Sequence, residues 1–224
     1  MRWWAPSRLR VRVDGLELRL PDDAQLDALA SLAAAGVHDP STMPFAVPWT
    51  DAEPDAVARS VVQWHWRSRA EWTPKLWSLQ LAVLRDGEVL GAQDLAAADF
   101  AVVGEVSTGS WLVRGHQGQG TGRRMRAAVL ALAFDHLGAR SATTAAFSDN
   151  PASLAVTRAL GYLPDGEARV ERRGQPAVDL RYRLEADSWR SPWPVEIEGL
   201  TDELRTAFGA PAGPGAERSR SAGW

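Results

Sequence analysis

SWLVRGHQGQGTGRRM, residues 110–125, decides the fold. Its first residues read as a strand, and Gln117-Gly118-Gln119-Gly120-Thr121-Gly122 then turns the chain. GTGRRMRAAVLALAFDHLG follows, with Met125, Ala128, Val129, Leu132 and Ala133 at helical spacing up to Gly138. A plain strand-to-helix turn needs one or two glycines; here three fall within five residues. Such a loop exposes successive N–H groups beside a helix N-terminus, where geometry and dipole favour an anion. Arg123 and Arg124 add charge at the same point. The expected ligand carries phosphate.

Upstream, RLRVRVDGLELRL (8–20) alternates about Asp14-Gly15 as a short hairpin. DDAQLDALASLAAAG (22–36) is a helix capped by Asp22 or Asp23, and the three prolines of VHDPSTMPFAVPWT (37–50) make a loop. A second helix starts near Pro54. WSLQLAVLR and EVLGAQDLA flank Asp86-Gly87 as a hairpin, and a third strand covers about 103–113. Downstream, ARSATTAAF (139–147) is a strand, and Asn150-Pro151 caps the helix PASLAVTRAL. Two last strands flank Arg173-Gly174. Trp64, Trp66, Trp72 and Trp77 are expected in the core. The order implies an α+β fold, one mixed sheet with helices on it.

A Walker loop needs Gly-Lys-Ser/Thr, whereas Gly122 is followed by Arg123-Arg124; a dinucleotide fingerprint needs glycine at 123. The pattern that fits is Q-x-x-G-x-G, on Gln117, Gly120 and Gly122. With the flanking strand and helix, and with DNPASLAVTRALGY (149–162) about thirty residues on, the chain resembles the GNAT acyltransferases over roughly residues 8–185. The branch it resembles includes the ribosomal-protein N-terminal acetylases. GVHDPSTMPFAVPWT (36–50), TGSWL and FSDNPAS are similar to a mycobacterial member associated with succinyl-CoA.

The resemblance implies a GNAT-like sheet of six to seven strands, splayed between its fourth and fifth, with about four helices. It implies one domain over residues 1–208, and the Gly/Pro/Ser-rich 209–224 reads as a disordered tail. The cosubstrate would be acetyl-CoA or succinyl-CoA, and the acceptor a primary amine: a protein N-terminus, a lysine or a small amine. Gln117, Gly118, Gly120, Thr121, Gly122 and Arg123 would hold the phosphates. Backbone N–H groups around Leu112 and Val113 would meet the thioester carbonyl and pantetheine. Met43, Phe45 and Trp49 would wall the acceptor end. Dimers are common in this branch, so a homodimer is among the expectations.

Acyl transfer to an amine needs a neutral amine, an oxyanion donor and a proton for the leaving thiolate. The family's usual tyrosine falls at Thr157. Ser153 is the candidate proton donor, although serine there is also good helix chemistry. Asn150 is a cap, a pantetheine partner or both. For a general base, an acidic residue common in the branch falls at Arg114. Glu105, which shares a strand face with Ser107, and His38 in the Pro-rich loop are the two remaining candidates, ranked equally.

Composition narrows the alternatives. The 224 residues carry net charge −3, no cysteine and four separated histidines. This weighs against a nonspecific nucleic-acid binder, thiolate chemistry and a built-in metal site. No run approaches the roughly 20 apolar residues of a membrane span, and the expectation is a cytoplasmic protein. The competing function is a CoA-binding module of the same fold without catalysis, which the missing tyrosine and Arg114 favour.

Overall fold

The computed structural model describes residues 1–211. Strands β1 (Arg10–Val13) and β2 (Leu16–Arg19) form the first hairpin, followed by helices α1 (Asp23–Ala34) and α2 (Pro54–Ala70). Then come β3 (Leu76–Arg85), β4 (Glu88–Ala98), the single turn α3 (Phe100–Val103), β5 (Glu105–Ser107) and β6 (Ser110–Leu112). Next are α4 (Thr121–Ala131), β7 (Ser141–Phe147), α5 (Pro151–Ala159), β8 (Leu163–Arg172) and β9 (Gln175–Glu185). The described chain closes with β10 (Val195–Glu198) and α6 (Asp202–Ala207).

Local chemistry accounts for most of these boundaries. Asp14-Gly15, Asp86-Gly87 and Arg173-Gly174 all hold positive φ at both positions, the requirement of a two-residue hairpin turn whose twist matches its strands. Asp22 closes a capping box with Gln25 at the head of α1. Beyond Ala131 the helix continues from Leu132 to Leu137 in π geometry and stops at Gly138.

The strands form one sheet in the order β10-β1-β2-β3-β4-β5-β7-β9-β8, with β6 also paired to β4. On one face, Leu26, Leu29 and Ala33 of α1 and Val57 and Val61 of α2 cover Ala82, Leu84, Val89 and Ala92. On the other, α4 buries Met125 and Ala127 to Ala131 against Leu79, Leu81, Leu90 and Leu95. Two layers of helix on a mixed sheet is the α+β arrangement read from the sequence.

Among the described residues the sheet has ten strands rather than six or seven. The expected strand over 103–113 is two, β5 and β6, broken at Thr108-Gly109. β10 pairs with β1 at the edge and follows Pro192 and Pro194, whose composition hid it. Trp77 lies in the core, but Trp64 and Trp66 are exposed, at 50% and 57%. The buried stripe of α2 is Val57, Val61, His65 and Ser68, and His65 takes the inward position between the two tryptophans. Of the expected tail, Gly209 and Ala210 bond back to Thr206 and Arg205, and residues 212–224 lie outside the described ones.

Candidate active site

β5 and β7 run parallel through Glu105–Ser141, Val106–Ala142 and Ser107–Thr143. Two further bonds close that ladder: Thr108 N–H donates to Thr143 O at 3.0 Å, and Thr144 Oγ1 donates to Thr108 O at 3.1 Å. Beyond Thr108, β6 pairs with β4 alone, through Gly91–Leu112, Ala92–Trp111 and Gln93–Ser110. A cleft therefore opens between β6 and β7, with Thr108 at its apex. Gly91 permits the close approach of β6, because a Cβ there would collide with the Trp111 carbonyl oxygen.

Gln93 and Asp94 hold the break. Gln93 Nε2 donates to the Asp94 and Gly109 carbonyls at 2.9 Å each. Asp94 N–H donates to Gly109 O at 2.8 Å, and the Asp94 carboxylate accepts the Gly109 N–H. Burial pushes the Asp94 carboxyl above its ordinary range, against the pull of that N–H, Gln80 and Arg126.

β6 bonds to β4 through alternate N–H groups. Val113 N–H donates to Leu90 O at 2.9 Å, so by strand alternation the Leu112 N–H points to the cleft. This corrects the paired assignment: the Val113 donor is spent inside the sheet, and Leu112 keeps the expected geometry.

The glycine loop closes the far end of β6. Gly118 and Gly120 have φ of +73 and +77, and Gly120 is the N-cap of α4 with no side chain bonding back. Gly120 O accepts from both Arg123 and Arg124 N–H, while the helix provides no acceptor for the Thr121 and Gly122 N–H groups. Those donors, at the positive end of an 11-residue helix, form an anion cradle. Several side chains here have other work. Gln117 Nε2 donates to Leu112 O at 2.8 Å and Val37 O at 2.9 Å, tying the Pro-rich loop to β6. Thr121 Oγ1 is buried and accepts from Arg85 at 3.2 Å. Arg124 pairs with Asp14 at 2.5 Å, and Arg123 lies 5.2 Å over the Trp193 ring.

The opposite wall is α5. Asn150 Oδ1 accepts the Ser153 N–H at 3.1 Å, a cap that uses the serine backbone and leaves its half-buried hydroxyl out of the arrangement. Thr157, one turn on, is fully buried and accepts from Arg126 at 2.9 Å.

The sequence profile described as Acetyltransferase (GNAT) domain matches residues 16–163, more than half of the chain. The chain belongs to the GNAT acetyltransferase family. Solved GNAT structures share its fold. RimL, described as a ribosomal L7/L12 alpha-N-protein acetyltransferase in complex with coenzyme A, superposes with TM-score 0.65 at 19% identity, covering 80% of this chain and 99% of that one. Mycobacterium smegmatis RimJ with CoA-disulfide gives 0.64 at 17%, covering 81% and 88%. The Vibrio fischeri ribosomal-protein-S5-alanine acetyltransferase gives 0.59 at 16%, covering 81% and 98%.

Within this GNAT cleft neither candidate base is placed for the task. His38 Nδ1 lies 2.8 Å from Asp39 O and Nε2 lies 2.7 Å from Thr50 Oγ1, so both nitrogens are engaged within the loop. Glu105 accepts from Ser141 at 2.9 Å and pairs with Arg183, at the start of the β5–β7 ladder and away from the opening. The Pro-rich loop does reach β6: Phe45 lies 5.0 Å from Trp49, and Trp49 6.0 Å from Trp111. Met43, by contrast, is buried inside the loop and offers no surface to the cleft. The β8–β9 turn clasps the same loop. Arg172 bonds Asp149 and Met43 O, and Arg173 bonds Asp51 and Pro40 O.

Among the described residues, no group of three His, Asp or Glu is gathered to hold a metal, and no helix is long and apolar enough to cross a membrane. Sequence reasoning missed Arg126, because its partner Thr157 is distant in the chain.

Proposed function

We propose that this GNAT protein is a cytoplasmic acyl-CoA-dependent N-acyltransferase acting on the α-amine of a polypeptide or small peptide. The observation that carries the reading is the cradle of N–H groups heading α4 at one end of the β6–β7 cleft. Phosphates of CoA suit the cradle, the Leu112 N–H suits a thioester carbonyl, and Ser153 on the facing wall suits the departing sulfur. Phe45 and Trp49 line the acceptor side in this reading. Bound acyl-CoA supplies an activated thioester; the protein's part is to orient it and stabilise the charge that develops.

The acceptor follows from what the site lacks. With His38 and Glu105 committed elsewhere, a substrate that is already partly neutral has the advantage. At pH 7 an α-amine of pKa about 7.8 has several hundred times the neutral fraction of a lysine at about 10.4. RimL, described as an alpha-N-protein acetyltransferase, supports the same choice. Acetyl is the donor that the family description supports, and succinyl rests on the likeness of residues 36–50.

Thiol release from acetyl-CoA and succinyl-CoA, against a panel of free N-terminal peptides, blocked lysyl peptides, polyamines and aminoglycosides, tests the reading. Release with N-terminal peptides is expected. Competing both thioesters in one buffer assigns the donor. The engaged His38 and Glu105 also favour the second reading, a CoA-binding module without catalysis. Calorimetric binding of CoA with no thiol release from any amine would establish that reading instead.

A further inference from the structure

Arg126 sits on α4, one turn in from the glycine loop, and is 4% exposed. Its Nη1 donates to Thr157 Oγ1 at 2.9 Å, and its Nε, also buried, has no acceptor among the described residues. Two acidic groups face it: the Asp94 carboxyl from β4 and the Tyr162 phenol from the turn after α5. Burial raises both acids, and the Asp94 carboxyl is bonded to the Gly109 N–H, so Thr157 is the guanidinium's one side-chain hydrogen-bond partner among the described residues. A buried guanidinium held by a neutral hydroxyl is costly unless an anion joins it.

The place of this charge gives it a use. Tyr162 Oη lies 3.5 Å from Thr108 Oγ1, at the apex where β5 and β6 part. In the acyl-CoA reading the thioester carbonyl meets the Leu112 N–H and its sulfur faces Ser153; Thr157, to which Arg126 donates, lies one turn further along the same face of α5. In the transfer, the amine nitrogen forms a bond to the acyl carbon and the carbon–sulfur bond breaks. Its electron pair leaves on sulfur, and the proton lost by nitrogen ends on that sulfur. Negative charge thus appears on sulfur before the proton arrives.

Building on the acyl-CoA reading, we propose that the Arg126 guanidinium stabilises the departing thiolate of CoA and that Thr157 positions it. A cation fixed in place beforehand, in an enclosed site, needs no reorganisation when the charge appears. Ser153, one turn before Thr157 on the same helix face, adds a hydroxyl from the more exposed side of the cleft.

The test uses product CoA, with no turnover. The thiol of CoA bound to the full chain is titrated by its ultraviolet thiolate absorbance, and desulfo-CoA reports phosphate binding alone. In the native protein the bound thiol should titrate at least one unit below that of free CoA in the same buffer, equivalent to about tenfold tighter binding of the thiolate. Arg126→Gln should return it to the free value with desulfo-CoA affinity unchanged, and Arg126→Lys should retain part of the shift. Thr157→Val, nearly isosteric, should lose part of it and serves where Arg126→Gln does not fold. An unshifted thiol in the native protein, or the full native shift in Arg126→Gln or Thr157→Val, overturns the proposal. Failure of the native chain to bind either CoA or desulfo-CoA would remove the acyl-CoA reading itself.

Discussion

Asp94 and Gly109 grip each other across the point where the sheet opens: the aspartate takes the glycine N–H on its carboxylate, and its own N–H donates to the glycine carbonyl at 2.8 Å. One residue of β4 thereby satisfies both polar groups of a peptide that has left the strand ladder. The break between β5 and β6 is consequently fixed by a neighbour, and the cleft inherits its shape from that side chain.

Burial raises the Asp94 carboxyl, so the folded protein holds this proton more tightly than the unfolded chain. Between the unfolded and folded pKa values the native state binds more protons, and the contribution to stability falls as pH rises. Asp94→Asn keeps an acceptor for Gly109 and removes the titration. Its melting temperature relative to the native protein should climb as pH is raised from the ordinary aspartate range. A difference that is flat with pH would contradict this account.

His65 behaves oppositely. Buried on α2 near Arg69, it is lowered to about 4, and it is neutral in the fold. Its contribution is complete above 6.5 and disappears as pH falls toward 4, a loss of about 3 kcal/mol for a shift of this size. His65→Gln should flatten the stability curve across that interval; denaturant unfolding at a series of pH values measures it.

Ser153 separates cap from chemistry. Its N–H, not its hydroxyl, takes the Asn150 cap, so Ser153→Ala should leave the melting temperature nearly unchanged. If the hydroxyl serves the leaving sulfur, kcat should fall far more than KM for acyl-CoA rises. Asn150→Ala should instead cost about 1 kcal/mol of stability. Full turnover in Ser153→Ala would remove the serine from the mechanism.

The cradle can be probed at two glycines. Gly120 has φ +77, and a Cβ there would meet Arg124 Nη1 at 3.0 Å; Gly122 has ordinary backbone and nothing nearer than Val156 at 3.7 Å. Gly122→Ala should fold at least as stably as the native protein, since alanine is the better helix former. Gly120→Val should weaken CoA binding at least tenfold, about 1.4 kcal/mol. A folded Gly120→Val protein with native affinity would refute the phosphate assignment.

What the sequence disclosed follows the range of the interactions. The glycine loop, the Asp-Gly hairpins and the Asn150 cap were legible because each feature is written within a few neighbouring residues. The break at Thr108-Gly109 was not, since Gln93 and Asp94 hold it from another strand. His38 and Glu105 looked available for the same reason: Thr50 and Arg183, which occupy them, lie 12 and 78 positions away. Arg126 gave no sequence signal, because Thr157, which it meets, lies 31 positions away.

The clasp of the β8–β9 turn makes the seating of the Pro-rich loop an ionic-strength device. Arg172–Asp149 and Arg173–Asp51 are partly solvent-exposed pairs, which dissolved ions screen far more than buried ones. Added salt should loosen this rim and leave the glycine cradle, built from backbone donors, comparatively untouched. If this loop borders the acceptor, as proposed above, the apparent affinity for a peptide should respond to salt through loop order even when the peptide is uncharged.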